Sequence, residues 1–139
     1  MKIAGLAILA LALVIAIVPQ FTDCQSQGKS LALANGNTVP MKCHWTAMAS
    51  LGMVIPLAVV AGGTAFSRRK ESYRLLALMG VALGVVVALL PNVLIGVCAG
   101  NMMVCNSVMK PTLTLAGLLV AGISLAAWVV AERKVEEIA

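Results

Sequence analysis

The chain has 139 residues, of which 61% are hydrophobic and 11% charged, with a formal net charge of +5 and a mean hydropathy of +1.02. That balance excludes a water-soluble globular domain, because so apolar a surface needs lipid rather than water against it. With aromatic residues at 4%, it also offers no stacking platform for nucleic acid.

An all-α membrane protein of one domain, residues 1–139, is predicted, with four transmembrane helices over about residues 3–18, 45–66, 75–97 and 111–131. Each run is free of charge and close to the roughly 20 apolar residues that cross a bilayer. The first run, Ile3 to Val18, follows a basic "MK" and imitates a signal peptide, with an A-x-A-like "ALA" at residues 32–34. That tripeptide lies too far beyond the apolar run and Pro19 for ordinary cleavage, so the helix is expected to stay as an anchor. Lys2 stands where myristoylation needs glycine, and the C-terminus carries no prenylation box.

A loop from about Pro19 to His44 follows, containing Cys24 and Cys43. Its "SLALANGNTVPMKC" holds the turn signal "NGN" and is expected to form a short hairpin rather than a helix. The second span contains Pro56, Gly62 and Gly63, which loosen a helix without ending it in a bundle. The basic "SRRKES" leads to the third span, and the methionine-rich "CAGNMMVCNSVMK" caps the way to the fourth. Beyond that span, Glu132, Glu136 and Glu137 flank Arg133 and Lys134 as a solvated helix end.

Lys2, Arg68, Arg69, Lys70, Arg74, Arg133 and Lys134 fall at one end of the spans, and Lys29, Lys42 and Lys110 at the other. Basic flanks are retained on the cytoplasmic side, so a multi-pass protein of a prokaryotic plasma membrane with both termini cytoplasmic is expected. The "SRRKES" run then meets anionic headgroups.

The two halves resemble each other. "IVPQFTDC" and "LLPNVLIGVC" both place a proline and then a cysteine after a span, and "MKC" and "MVC" both precede the next one. This reads as a duplicated helical hairpin with a pseudo-two-fold axis along the membrane normal. All four cysteines, Cys24, Cys43, Cys98 and Cys105, lie on the outer side, where disulfides persist, so two disulfide-stapled loops are expected. Of the three connectivities, duplication favours one bridge per copy, Cys24 with Cys43 and Cys98 with Cys105. Small residues at helical spacing, Gly80 with Gly84, Ala58 with Gly62 and Gly117 with Ala121, are candidate packing contacts within a four-helix bundle.

His44 is the one histidine. Beside a cysteine at a membrane interface it reads first as a hydrogen-bonded structural residue. Its alternative is a soft ligand set for copper(I) with Cys43, Met41 and Cys105, Met102, Met103 or Met109, against which stand the wide cysteine spacing and the ordinary gap-filling role of methionine. Thiol-disulfide chemistry lacks its C-x-x-C spacing, although Cys43 lies at the expected N-terminus of a helix. Trp45, Tyr73 and Trp128 suit the interfacial belt. Among the polar residues of the spans, Thr46, Ser50, Thr64, Asn92, Thr112, Thr114 and Ser124, most can bond back to their own helix, and Asn92 stands out. His44, Trp45 and Asn92 are therefore the candidate polar or interface positions. No catalytic residue, metal or cofactor is assigned, since no phosphate loop, carboxylate pair or nucleophile triad appears.

The prolines Pro19 and Pro91 with their following cysteines, the "MKCHW" opening of the second helix and the "LIGVC…MVC" loop together resemble a family of small, uncharacterised bacterial and archaeal four-span membrane proteins. Such proteins are often encoded beside ABC-type exporters. The resemblance implies a non-catalytic accessory or scaffold subunit of a transporter or envelope complex, whose partners are the lipid bilayer and a second membrane protein or further copies of itself. The alternatives are a membrane thiol-disulfide oxidoreductase and a copper- or zinc-handling protein.

Overall fold

The computed structural model describes residues 2–138. Its elements are α1 (Lys2–Thr22), a hairpin of β1 (Leu31–Ala32) and β2 (Thr38–Val39), α2 (Lys42–Phe66), α3 (Lys70–Leu89) and α4 (Lys110–Ile138). A wide π turn, Leu90–Leu94, continues α3, and a second, Cys105–Met109, opens α4. All four helices are long and apolar enough to cross a membrane.

The helices start before the predicted spans, and α1 and α4 also run past their ends, because apolarity marks only the lipid-crossing part; the third instead stops with its π turn at Leu94, short of the predicted 97. Pro19 and Pro56 both lie inside continuous helices. Pro91 instead occupies the π turn, which reorganises the bonds that its missing N–H would leave open. The expected hairpin forms with Leu31 opposite Val39 and Ala32 opposite Thr38, and Gly36 takes the positive φ its turn requires.

Helix α1 packs chiefly on α2 and α3 chiefly on α4, so the bundle consists of two hairpins joined along lesser α2–α3 and α1–α4 seams. Ile8, Ala12 and Ile15 of α1, Leu57 of α2, Val87 of α3 and Leu113 and Val120 of α4 fill the centre. Leu6, Leu13, Ile55, Val59, Leu75, Leu78, Leu115 and Leu118 point outward, while Ser50, Thr64 and Ser124 are buried. An apolar outside around a partly polar inside is the distribution that lipid requires.

The close approaches differ in part from those expected. Gly84 meets Gly117 and Ala121, and Gly80 meets Ser124, as the small-residue spacing suggests. Gly62, however, faces open space, and the contact of α1 with α2 runs from Gly5 to Ala61 and Ala65. Ala58 and Gly62 mark the wrong stripe of α2, because sequence spacing identifies a row of small residues without saying which neighbour meets it. Tyr73 also departs from its expected place in the interfacial belt: it is 3% exposed, inside the bundle. At the same end, Arg74 and Glu132 pair across α3 and α4.

Candidate metal centre

Cys24 lies two residues beyond α1, Cys43 in the first turn of α2, Cys98 in the loop after α3 and Cys105 at the start of the π turn that opens α4. Every helix therefore brings one cysteine to the same end of the bundle. Their four Sγ atoms all lie within 4.8 Å of one another. Cys24, Cys43 and Cys105 are buried and Cys98 is partly exposed.

Two side-chain contacts assemble this cluster. Asp23 Oδ2 lies 3.1 Å from His44 Nδ1, which ties the residue before Cys24 to the residue after Cys43. The Thr46 hydroxyl donates to the Gly96 carbonyl at 2.7 Å, drawing the loop that carries Cys98 onto α2. Gly96 has φ +82°, so the reversal that aims this loop back at α2 needs a residue without a Cβ. Asp23 also accepts from the Ser26 N–H at 2.8 Å, closing the turn that carries Cys24 out of α1.

The four cysteines are free thiols. The two disulfides expected from the outer position of the sulfurs are not formed in this structure, where the four sulfurs gather in one cluster. Cys24 Sγ lies 3.4 Å from Cys105 Sγ, and Cys98 Sγ donates to Cys43 Sγ at 3.4 Å. Both contacts cross between the two loops, because the loops fold over one bundle end instead of closing separately. Cys24 and Cys98 are 3.8 Å apart, and Cys98 also reaches Met41 Sδ at 3.8 Å.

These spacings match the edge of a tetrathiolate site. An ion bonded to four sulfurs at about 2.3 Å holds them about 3.8 Å apart in a regular tetrahedron. The electrostatics favour ionising one thiol first. Burial, reinforced by the hydrogen bonds with Cys43, Cys105 and Cys98, pushes the Cys24 thiol far above its ordinary range. Burial also opposes ionisation of Cys98, but the hydrogen bonds it shares with Cys43, Cys24 and Cys105 outweigh it and hold this thiol below the ordinary value. A cation in the middle would draw off the remaining protons.

Of the other predicted positions, His44 belongs to this assembly through Asp23, and Trp45 stands beside it, 57% exposed, its ring at 69° to the imidazole. Asn92 lies apart: its amide donates to the Ala88 carbonyl and to Thr114 Oγ1, both at 2.9 Å, and links α3 to α4. Sequence reasoning gave Asp23 no role. The signal was its position before Cys24, matching that of His44 after Cys43, which becomes legible only when the two cysteines are known to meet.

The fold and the cluster define a class: a four-span membrane protein whose helices converge on a group of four thiols at one end. Residues 6–130 match the family described as Domain of unknown function (DUF4418), and the chain belongs to that family. No curated protein and no solved structure matches it.

Proposed function

We propose that this chain is a non-catalytic membrane protein that holds a thiophilic metal ion at the outer end of its bundle. The convergence of four buried or half-buried sulfurs within 4.8 Å carries this reading. A site closed by sulfur ligands alone suits retention or hand-over of an ion better than hydrolytic chemistry at an open coordination position. The end that carries the cluster is opposite Arg68, Arg69, Lys70, Arg133 and Lys134, so the basic-flank rule puts the thiols outside a prokaryotic plasma membrane and both termini in the cytoplasm. Thiols in that compartment oxidise unless something protects them, and a bound ion does so by occupying the thiolates.

The test is elemental analysis of protein purified anaerobically without chelators. About one ion per chain is expected, lost in Cys43→Ser. Metal-free protein whose sulfurs all resist alkylation until reduced would overturn the proposal.

A second reading, an accessory subunit of an ABC-type transporter or another envelope complex, is favoured by the β1–β2 hairpin. Leu31, Leu33 and Val39 are exposed there on the surface beyond the thiol end of the helices. Co-purification with a permease subunit in mild detergent, lost on Leu31→Asp with Leu33→Asp, tests it.

A further inference from the structure

The sulfur atoms at this end of the bundle are not all thiols, and the extra one separates two classes of metal. Met41 is the residue before the first turn of α2, and its Sδ lies 3.8 Å from Cys98 Sγ, which in turn lies 3.4 Å from Cys43 Sγ. Three sulfurs around a common centre at about 2.3 Å would be about 4.0 Å apart in a trigonal plane. Met41 and Met103 are partly buried against the same core that contains Cys43 and Cys105. Met102, next in the chain to Met103, is 96% exposed. The Met41 thioether therefore stands at the edge of the thiol cluster.

Resting on the reading of the cluster as a metal centre, we infer that its ion is a soft monovalent cation of the copper(I) and silver(I) class, held by Cys43, Cys98 and Met41. Thioethers bind such ions well, whereas divalent zinc takes thiolate, imidazole and carboxylate ligands. Charge points the same way. Zinc with four thiolates leaves two net negative charges in a largely buried site. A monovalent ion on two thiolates and a neutral thioether leaves one, with a smaller desolvation penalty. Cys24 and Cys105 lie outside this ligand set, in contact with each other at 3.4 Å. Binding from the dithiol form releases two protons, one each from Cys43 and Cys98, and changes no oxidation state.

The experiment titrates the full chain in detergent, anaerobically, with copper(I) against a chromophoric copper(I) chelator and with zinc(II) against a chromophoric zinc chelator. Silver(I) serves as a redox-silent check. Copper(I) and silver(I) are expected to bind at about one per chain, and Met41→Leu to weaken copper(I) by about tenfold or more while leaving zinc(II) within about twofold. Leucine keeps the volume and apolarity of this position, and the unchanged zinc titration reports that the thiol cluster still assembles. Copper(I) affinity unaltered by Met41→Leu, or zinc held in preference to copper(I) by the unsubstituted chain, would overturn the inference while leaving a thiolate centre in place. Uptake of none of the three ions would remove the centre itself.

Discussion

Asp23 and His44 face each other at 3.1 Å across the junction of α1 and α2, each the immediate chain neighbour of a clustered cysteine. Asp23 is nearly buried, so its carboxylate depends on this partner and on Ser26. Burial alone would raise its pKa, but the hydrogen bonds from Ser26 and His44 outweigh that and hold the carboxyl below its ordinary value of 3.8. A carboxylate depressed in the folded state stabilises the fold fully above its unfolded value and loses that contribution as pH falls through the folded one. Asp23→Ala should therefore cost about 1–3 kcal/mol at neutral pH. The difference from the unsubstituted protein should shrink only as pH is taken below about 3.8. Thermal unfolding in detergent at a series of pH values measures it, and a cost that stays constant down to strongly acidic pH would show that the carboxylate charge is not what stabilises the turn.

The two sulfur contacts at 3.4 Å can be read by oxidation. Cys24 with Cys105, and Cys43 with Cys98, are both at 3.4 Å, and formation of each bond passes two electrons and two protons to the oxidant. Treatment of the reduced, metal-free protein with diamide should yield these two bridges, identified by mass spectrometry of cleaved peptides. Recovery of Cys24 linked to Cys43 and Cys98 linked to Cys105 would mean that the loops close on themselves rather than across the two 3.4 Å contacts.

A third consequence concerns which sulfur reacts first. Cys98 is the one partly exposed thiol of the four, and its neighbours' hydrogen bonds favour its thiolate, whereas Cys24 is buried and pushed strongly upward. Brief exposure to a small alkylating agent should label Cys98 ahead of Cys24, with the rate rising from a lower pH than for an ordinary thiol. Peptide-resolved labelling provides the measurement. Equal labelling of all four would contradict the burial and the charge sharing described above.

Much of this architecture is legible in the amino-acid order, and what is not has a physical reason. The four apolar runs announce the spans because lipid imposes one simple requirement, about 20 residues without charge. The "NGN" turn likewise announces the hairpin, since it meets a backbone demand that glycine satisfies locally. The cluster is different. Cys24 and Cys105 are 81 positions apart, and so wide a spacing shows no local ligand motif. In a bundle the helix ends, rather than the chain, bring ligands together, so one cysteine per helix end was the informative pattern. Tyr73 shows the converse, an aromatic residue at a helix end that is buried rather than facing the headgroups.

The seam between α3 and α4 gives the sharpest test of packing. A Cβ on Gly84 would lie 2.6 Å from the Ala121 backbone nitrogen and 2.7 Å from the Gly117 carbonyl oxygen. Both are backbone atoms of the facing helix, so no rotamer change can relieve the clash and the helices must separate. In lipid, association rests on close packing rather than on exclusion of water, and separation forfeits that contact along the seam. Gly84→Ala should therefore destabilise the protein by about 1–3 kcal/mol. Gly62→Ala, at a helical position with nothing within 4 Å, is the matched control. It should leave stability unchanged or raise it by up to about 1 kcal/mol, because alanine lowers the entropy cost of ordering the helix. Thermal denaturation of the two variants under the same detergent conditions separates the cases, and a Gly84→Ala protein as stable as Gly62→Ala would mean that α3 and α4 stand farther apart than the backbone distances place them.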